Sequence, residues 1–278
     1  MCSYAGRLWN SGGRPSHVAL LDWLAADFVE HGWDVKRLMR QMVMSATYRQ
    51  SSDASEEKRR IDPENRLLSR APSFRLSAEM LRDGFLAASG LLDRQIGGPS
   101  VNPYEVTESF KPKNHDSGTG LYRRSVYTYW KRTGPPPAMM TLDASKRDVC
   151  RLRRERTSSP LQSFVLMNGP QFVEAARFLA LNAITHCEGD GKDADSSSVI
   201  DHLFETLAQR KPSESEVDVV RKLFDAQMVR FEQDPASAEA LLNVGVSKVK
   251  SNIPATRWAA WTVVASALMN FDHSVMRR

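Results

Sequence analysis

Two amphipathic runs open the chain after a Gly/Ser-containing start. In HVALLDWLAADFVEHG, residues Leu20, Leu21, Leu24 and Phe28 share one face of a 3.6-residue period, with Ser16 placed as N-cap and Gly32 ending the helix. Asp34 caps VKRLMRQMVMSATYRQ, which reads as one helix. Its Val35, Leu38, Met39, Met42, Val43 and Ala46 recur at i, i+3, i+4, i+7 and i+8, the pattern of a core-facing stripe. Gly32-Trp33 joins the two helices into an αα-hairpin. SSDASEEKRR has no period and predicts a solvated loop, Asp62-Pro63 opens a short turn-like helix over ENRLLSR, and Ser77 caps AEMLRDGFLAASG.

The pattern then changes. From Leu91 to Gly120 the breakers Gly97-Gly98-Pro99, Asn102-Pro103, Lys111-Pro112 and Gly118-Thr119-Gly120 exclude long regular elements and predict a long irregular loop. Ser125 to Trp130 is β-branched and aromatic and predicts a strand, Pro135 to Pro137 a polyproline-like connector, and Asp143 or Ser145 the start of a short helix through Cys150. Helical periodicity returns at Ser159-Pro160, restarts at Gly169-Pro170, and continues through VIDHLFETLAQR, a Ser213–Glu216 capping box, Asp234-Pro235 and a final helix over Arg257 to Phe271. The expected fold is mainly α: a multi-helix bundle-like body with a short β or extended central segment and a long irregular loop. The reading gives a single domain over 14–278, an atypical or truncated start over 1–13, and a subdivision point near 188–198 where GDGKDADSSS is polar.

Composition adds little until charge is mapped. Of 278 residues, 41% are hydrophobic and 26% charged, ordinary globular usage that needs no disulfide or metal staple. Cys2, Cys150 and Cys187 are far apart, with no C-x-x-C pair and no haem-attachment motif, so no cofactor is expected in this chain. The longest apolar run, Trp258 to Met269, is too short to span a bilayer, and the N-terminus does not read as a signal peptide. The net charge of +5 is concentrated: Tyr122 to Arg156 carries ten basic residues against three acidic ones, which leaves the remainder slightly acidic.

That stretch holds the candidate binding residues Arg123, Arg124, Trp130, Arg132, Arg151, Arg153, Arg154 and Arg156. Arginines suit bidentate contacts to carboxylate, sulfate or phosphate, and the interleaved Tyr and Trp offer stacking faces. The competing reading has these arginines holding backbone carbonyls and buried carboxylates, locking the segment as an internal clasp with any ligand site at its solvent edge beside the Leu91 to Gly120 loop. Other chemistry is sparse. The six histidines have no H-x-x-x-H or H-E-x-x-H spacing, His186-Cys187 is a fortuitous ligand pair at most, and Cys150 reads as a buried small hydrophobe. Glu105 with Glu108, or His115-Asp116, would serve a polysaccharide-active enzyme, the alternative function. A single basic stretch without a recognised module argues against nucleic acid.

The segments PSHVALLDWLAADFVEHGWDVKRLMRQMVMSATYRQSS, DPENRLLSRAPSFRLSAEMLRDGFLAASGLL, IGGPSVNPY and LYRRSVYTYWKRTGPPPAMMTLDASKRDVCRLRRERTSSPLQSFVLMNGPQFVEAAR resemble the C-terminal domain of unknown function of large planctomycete surface proteins. The matching positions are Tyr122 to Ser125, Trp130 to Arg132, Pro135 to Pro137, Asp143-Ala144, Cys150, Arg153 to Thr157, Pro160 to Gln162 and Asn168; Gly134, Ser158 and Gly169 depart from the usual residues. The resemblance implies an exported or cell-surface protein in which this domain follows a cytochrome-c-like haem module. It also implies a non-catalytic accessory role, with the cytochrome module or an anionic polysaccharide as partner, in an N-terminally truncated member.

Overall fold

In the computed structural model the described residues are 15–103, 116–131, 134–146, 154–188 and 195–277. They form thirteen α-helices and one two-stranded sheet, a mainly α fold. The chain divides into two compact units: Met1–Phe74 with Cys150–Glu155 and Met276–Arg278, and Arg75–Val149 with Arg156–Val275.

The first unit begins with α1 (Val18–Glu30) and α2 (Val35–Met44). Ser16 is not the cap of α1: His17 occupies that position, with no side-chain capping bond. The turn between the helices is tight because Gly32 and Trp33 both take left-handed backbone, and the Asp34 carboxylate caps α2 by accepting from Arg37 N at 3.0 Å. The second run is two helices, not one. Ser45 ends α2 and, by accepting from Tyr48 N, starts α3 (Ala46–Arg49). SSDASEEKRR contains a helix that its lack of apolar period hid, α4 (Glu56–Ile61), with Ser55 as cap, Glu56 and Glu57 in the first turn and Lys58 to Arg60 in the last, so its charges follow the helix dipole. ENRLLSR is turns; the Asp62 carboxylate accepts from Arg66 N and Leu67 N and holds them. Strand β2 (Met276–Arg277) pairs with β1 (Phe74–Arg75), and Arg277 lies over the Tyr48 ring at 4.2 Å.

The second unit holds the core. Its helices are α5 (Ala78–Ala88), α6 (Pro137–Thr141), α7 (Pro160–Asn168), α8 (Pro170–Cys187), α9 (Ser196–Ala208), α10 (Glu214–Gln233), α11 (Pro235–Leu242), α12 (Ala255–Met269) and α13 (Asp272–Val275). The predicted caps Ser77, Ser159, Ser213 with its Glu216 box, and Asp234 all accept the expected backbone N–H. α12 packs on α8, α10, α11 and α9, and α5 and α7 pack on α8. Nine of the fifteen α12 residues are buried, and Trp261 stacks on Phe224 at 4.3 Å. α8 and α9, on either side of the polar 188–198 segment, also pack together. α7 turns into α8 across Gly169, where a Cβ would stand 2.7 Å from Val165 O, so only glycine allows this close junction.

Candidate functional site

The central segment does not form the expected strand. Gly118–Tyr122 and Ser125–Tyr127 are 3₁₀ turns, and among the described residues the segment forms isolated bridges, parallel at Asp93–Arg123 and Val101–Thr128 and antiparallel at Lys131–Gly134. Tyr127 N and Thr128 N close local turns on Arg124 O and Ser125 O, Ser125 N goes to Asp83 and Tyr129 N to Val101 O, so no continuous ladder forms. Between the turns the chain is extended, so side chains alternate: Arg123 and Ser125 are buried, while Arg124 and Val126 are exposed. No helix begins at Asp143 or Ser145 within the described residues, which reach Lys146; Asp143 is a turn residue with positive φ.

Arg123 fills a crown of main-chain carbonyls. Its Nη1 donates to Pro99 O at 2.9 Å and its Nη2 to Gly97 O and Gln95 O, while the guanidinium lies 3.9 Å from the Tyr127 ring centroid. Gly97 and Gly98 supply the left-handed backbone that turns these carbonyls inward. From the other side comes Arg82 of α5, fully buried. Its Nη1 donates to Arg123 O at 2.8 Å and its Nη2 to Leu121 O at 2.8 Å, and its Nε donates to Gln171 Oε1 at 2.6 Å. The neighbouring Asp83 accepts from Ser125 N at 2.8 Å and from Ser125 Oγ at 2.6 Å. The pair Arg82-Asp83 therefore clamps the segment by its backbone, and Arg123 passes the clamp on to the 95–99 loop.

A second buried centre adjoins it on α8. Glu174 Oε1 accepts from Tyr122 Oη at 2.9 Å, Val246 N at 3.0 Å and Ser247 N at 2.7 Å, with Arg177 Nη2 at 3.7 Å. Arg177 donates to Leu242 O and, at 2.5 Å, to Ser247 O, and Trp258 Nε1 donates to Arg177 O at 2.9 Å. Burial, more than the adjacent Glu174 charge, pushes the Tyr122 hydroxyl up to about 12, and burial lowers the Arg177 guanidinium. Gly245 is obligatory here: its φ is +95°, and a Cβ would lie 2.6 Å from the Glu174 carboxyl carbon. These contacts hold the 242–247 connection against α8.

The remaining candidates are dispersed. Arg124, Arg154 and Arg156 are exposed, and Trp130, half-buried, donates through Nε1 to Lys146 O at 2.9 Å. Arg132, Arg151 and Arg153, together with Cys150, Glu105, Glu108 and His115, lie outside the described residues. Asp116 accepts from Asn102 N at 2.5 Å. Asp143, Thr157 and Gln162 form a small polar knot: Asp143 Oδ2 accepts from Thr157 N and Oγ1, both at 2.7 Å, and from Gln162 Nε2 at 3.0 Å. The His186 ring stacks on His202 at 4.4 Å, a face-to-face arrangement that does not converge on a shared ion. Sequence reasoning missed Arg82, Asp83, Glu174 and Arg177. Three of these carried a readable signal, since Arg82 lies within the stripe Ala78, Leu81, Phe85 and Leu86, and Glu174 and Arg177 interrupt the buried face of α8. A charge at a core position of the helical period marks a buried ionic anchor.

Fold and site together define a mainly α-helical protein whose second unit is built around an arginine-anchored central segment. The chain belongs to the family described as PSD1, protein of unknown function (DUF1553), whose family model matches residues 7–224. No curated protein and no solved structure matches it.

Proposed function

We propose that the chain is a non-catalytic accessory domain of a haem-containing cell-surface protein, and that it contacts an anionic polysaccharide through the outward side of the central segment. The cytochrome module of the same protein is the other candidate for that face. The observation that carries this reading is the alternation at Arg123 and Arg124: the inward arginine is held by main-chain carbonyls through both terminal nitrogens, while Arg124 is exposed, with the exposed side chains of Val126 and Tyr129 following it. A guanidinium carried on an anchored backbone suits a sulfated or carboxylated sugar, because little backbone freedom is lost on contact. Such binding is salt-sensitive, since exposed charges are screened within about 10 Å at 0.1 M salt.

The test is retention of the chain on immobilised dextran sulfate in a salt gradient. Arg124→Ala combined with Arg156→Ala should elute at markedly lower salt with an unchanged circular dichroism spectrum. No retention of the unaltered chain at low salt would remove the polysaccharide; saturable binding of a separately produced cytochrome module, weakened by the same substitutions, would then assign the face to that partner.

A further inference from the structure

The hairpin of α1 and α2 has an apolar surface that no described residue of its own unit covers. The spacing predicts a core stripe on α2, yet no residue of either helix is buried. Leu24, Asp27 and Phe28 of α1 and Arg37, Leu38 and Gln41 of α2 are half-buried, marking the side on which the helices meet. Apolar stripes flanking that seam are in solvent: Val18, Leu21 and Val29 on α1, and Val35, Met39, Met42 and Val43 on α2. A helix as apolar as α1 is normally covered, and exposed patches of this kind mark association surfaces.

Charge says what covers it. The charged residues of α1 are Asp22, Asp27 and Glu30, all acidic; those of α2 are Lys36, Arg37 and Arg40, all basic. Asp27 and Arg37 are spent within the hairpin, where Arg37 Nη2 donates to Asp27 Oδ1 at 3.0 Å and Nη1 to Oδ2. The edge-on pair Phe28 and Trp33, with centroids 5.1 Å apart, fixes the turn. Asp22 and Glu30, eight residues apart along one side of the α1 stripe, and Lys36 and Arg40, four apart beside the α2 stripe, remain exposed. We infer that this face binds the same face of a second copy of the chain, α1 of each copy lying antiparallel on α2 of the other in a two-fold four-helix bundle. The symmetry sets each acidic border against a basic one while both apolar stripes are buried. The hairpin is already rigid, so association orders few additional groups.

The experiment is sedimentation velocity of the full chain over a range of concentrations. A reversible dimer is expected. Asp22→Lys with Glu30→Lys places like charges along the interface and should weaken the dimer by at least about tenfold. Adding Lys36→Glu with Arg40→Glu to that variant reverses both borders and should restore it. These four side chains leave the Asp27–Arg37 pair untouched, and circular dichroism checks that each variant keeps its helix content. A chain that is monomeric at every concentration overturns the inference, and so does a dimer indifferent to charge reversal or to Leu21→Glu with Met39→Glu. A monomer that floats with phosphatidylglycerol vesicles would assign the face to lipid, which also overturns it.

Discussion

Helices α1 and α12 are similarly apolar in sequence, and they end in opposite environments. α12 presents Trp258, Ala259, Ala260, Trp261, Val264, Ala265, Leu268 and Met269 to six neighbouring helices and buries them. α1, with Val18, Leu20, Leu21, Leu24, Phe28 and Val29 around Trp23, buries none. What separates them is the set of helices that reaches each one, so apolar character sets the demand for cover and long-range neighbours decide whether it is met. The buried polar anchors fall on the same side of this contrast. Arg82, Glu174 and Arg177 are all in the unit that has a core, where each is tied to main-chain groups that burial would otherwise leave unpaired.

The largest expected effect tests whether that core depends on its anchors. Arg82→Met keeps the aliphatic stem and removes the donors to Leu121 O, Arg123 O and Gln171. It leaves the buried Arg123 O without its guanidinium donor, leaves Leu121 O with the bond from Gln171 Nε2, and removes the cation beside Asp83, and should cost about 3–5 kcal/mol in urea unfolding. A loss below about 1 kcal/mol would mean that water replaces the guanidinium and that the clamp contributes little.

A paired substitution bears on the comparison directly. Trp261 is 1% exposed and Trp23 is 55% exposed. Trp261→Ala should destabilise by about 3–5 kcal/mol, the cost of deleting a buried aromatic and leaving a cavity. Trp23→Ala, measured in protein dilute enough to be monomeric, should fall within about 0.5 kcal/mol of the unaltered chain. Similar losses at the two positions would break the contrast, because α1 would then be covered in the monomer.

Much of this architecture was readable in residue order, and the division follows how far each determinant reaches. Caps are local. Asp34, Ser77, Ser159, Ser213 and Asp234 each accept from an N–H three residues on, so a short window contains both partners. α4 lacks an apolar period, although its Ser55 cap and its acidic-to-basic gradient are legible in the residues. The strand expected at Ser125 to Trp130 needed a partner ladder that the sequence could not guarantee, and local turns took the Tyr127 and Thr128 donors. For the site, the inward role of Arg123 was one of two stated readings. Its acceptors are more than twenty residues away, and so are the partners of Arg82 and Glu174, which left pattern alone without a way to say which charge meets which carbonyl.

Tyr122 sharpens the comparison at alkaline pH. Its hydroxyl titrates at about 12 in the folded chain against 10.0 ordinarily, so the unfolded chain loses this proton first. The stability it contributes is whole below pH 10 and is lost as pH rises from 10 toward 12, by about 2 kcal/mol if this group acts alone. Tyr122→Phe should be less stable at neutral pH, having lost the bonds to Glu174 and Ser247, and should show a shallower decline over that window. Parallel alkaline limbs in the two proteins would show that the folded environment does not hold the Tyr122 proton.

The smallest effect lies at His202 on α9, where the second unit places two rings face to face. Burial first, and then the His186 charge, lower the His202 imidazole against a weaker opposing pull from Glu205. A depressed histidine binds its proton more readily unfolded, so its contribution is complete above the ordinary value of 6.5 and is lost as pH falls below it. Proton NMR should therefore place the His202 midpoint below the ordinary value, and His186→Ala should raise it partway back, because the neighbouring charge goes together with the cover of its stacked ring while burial by the rest of the core stays. The accompanying shift in thermal midpoint at mildly acidic pH should be a small fraction of the shift in Trp261→Ala. A His202 midpoint indifferent to His186→Ala would mean that the stacked rings do not interact electrostatically, and burial by the helical core would then be the whole cause.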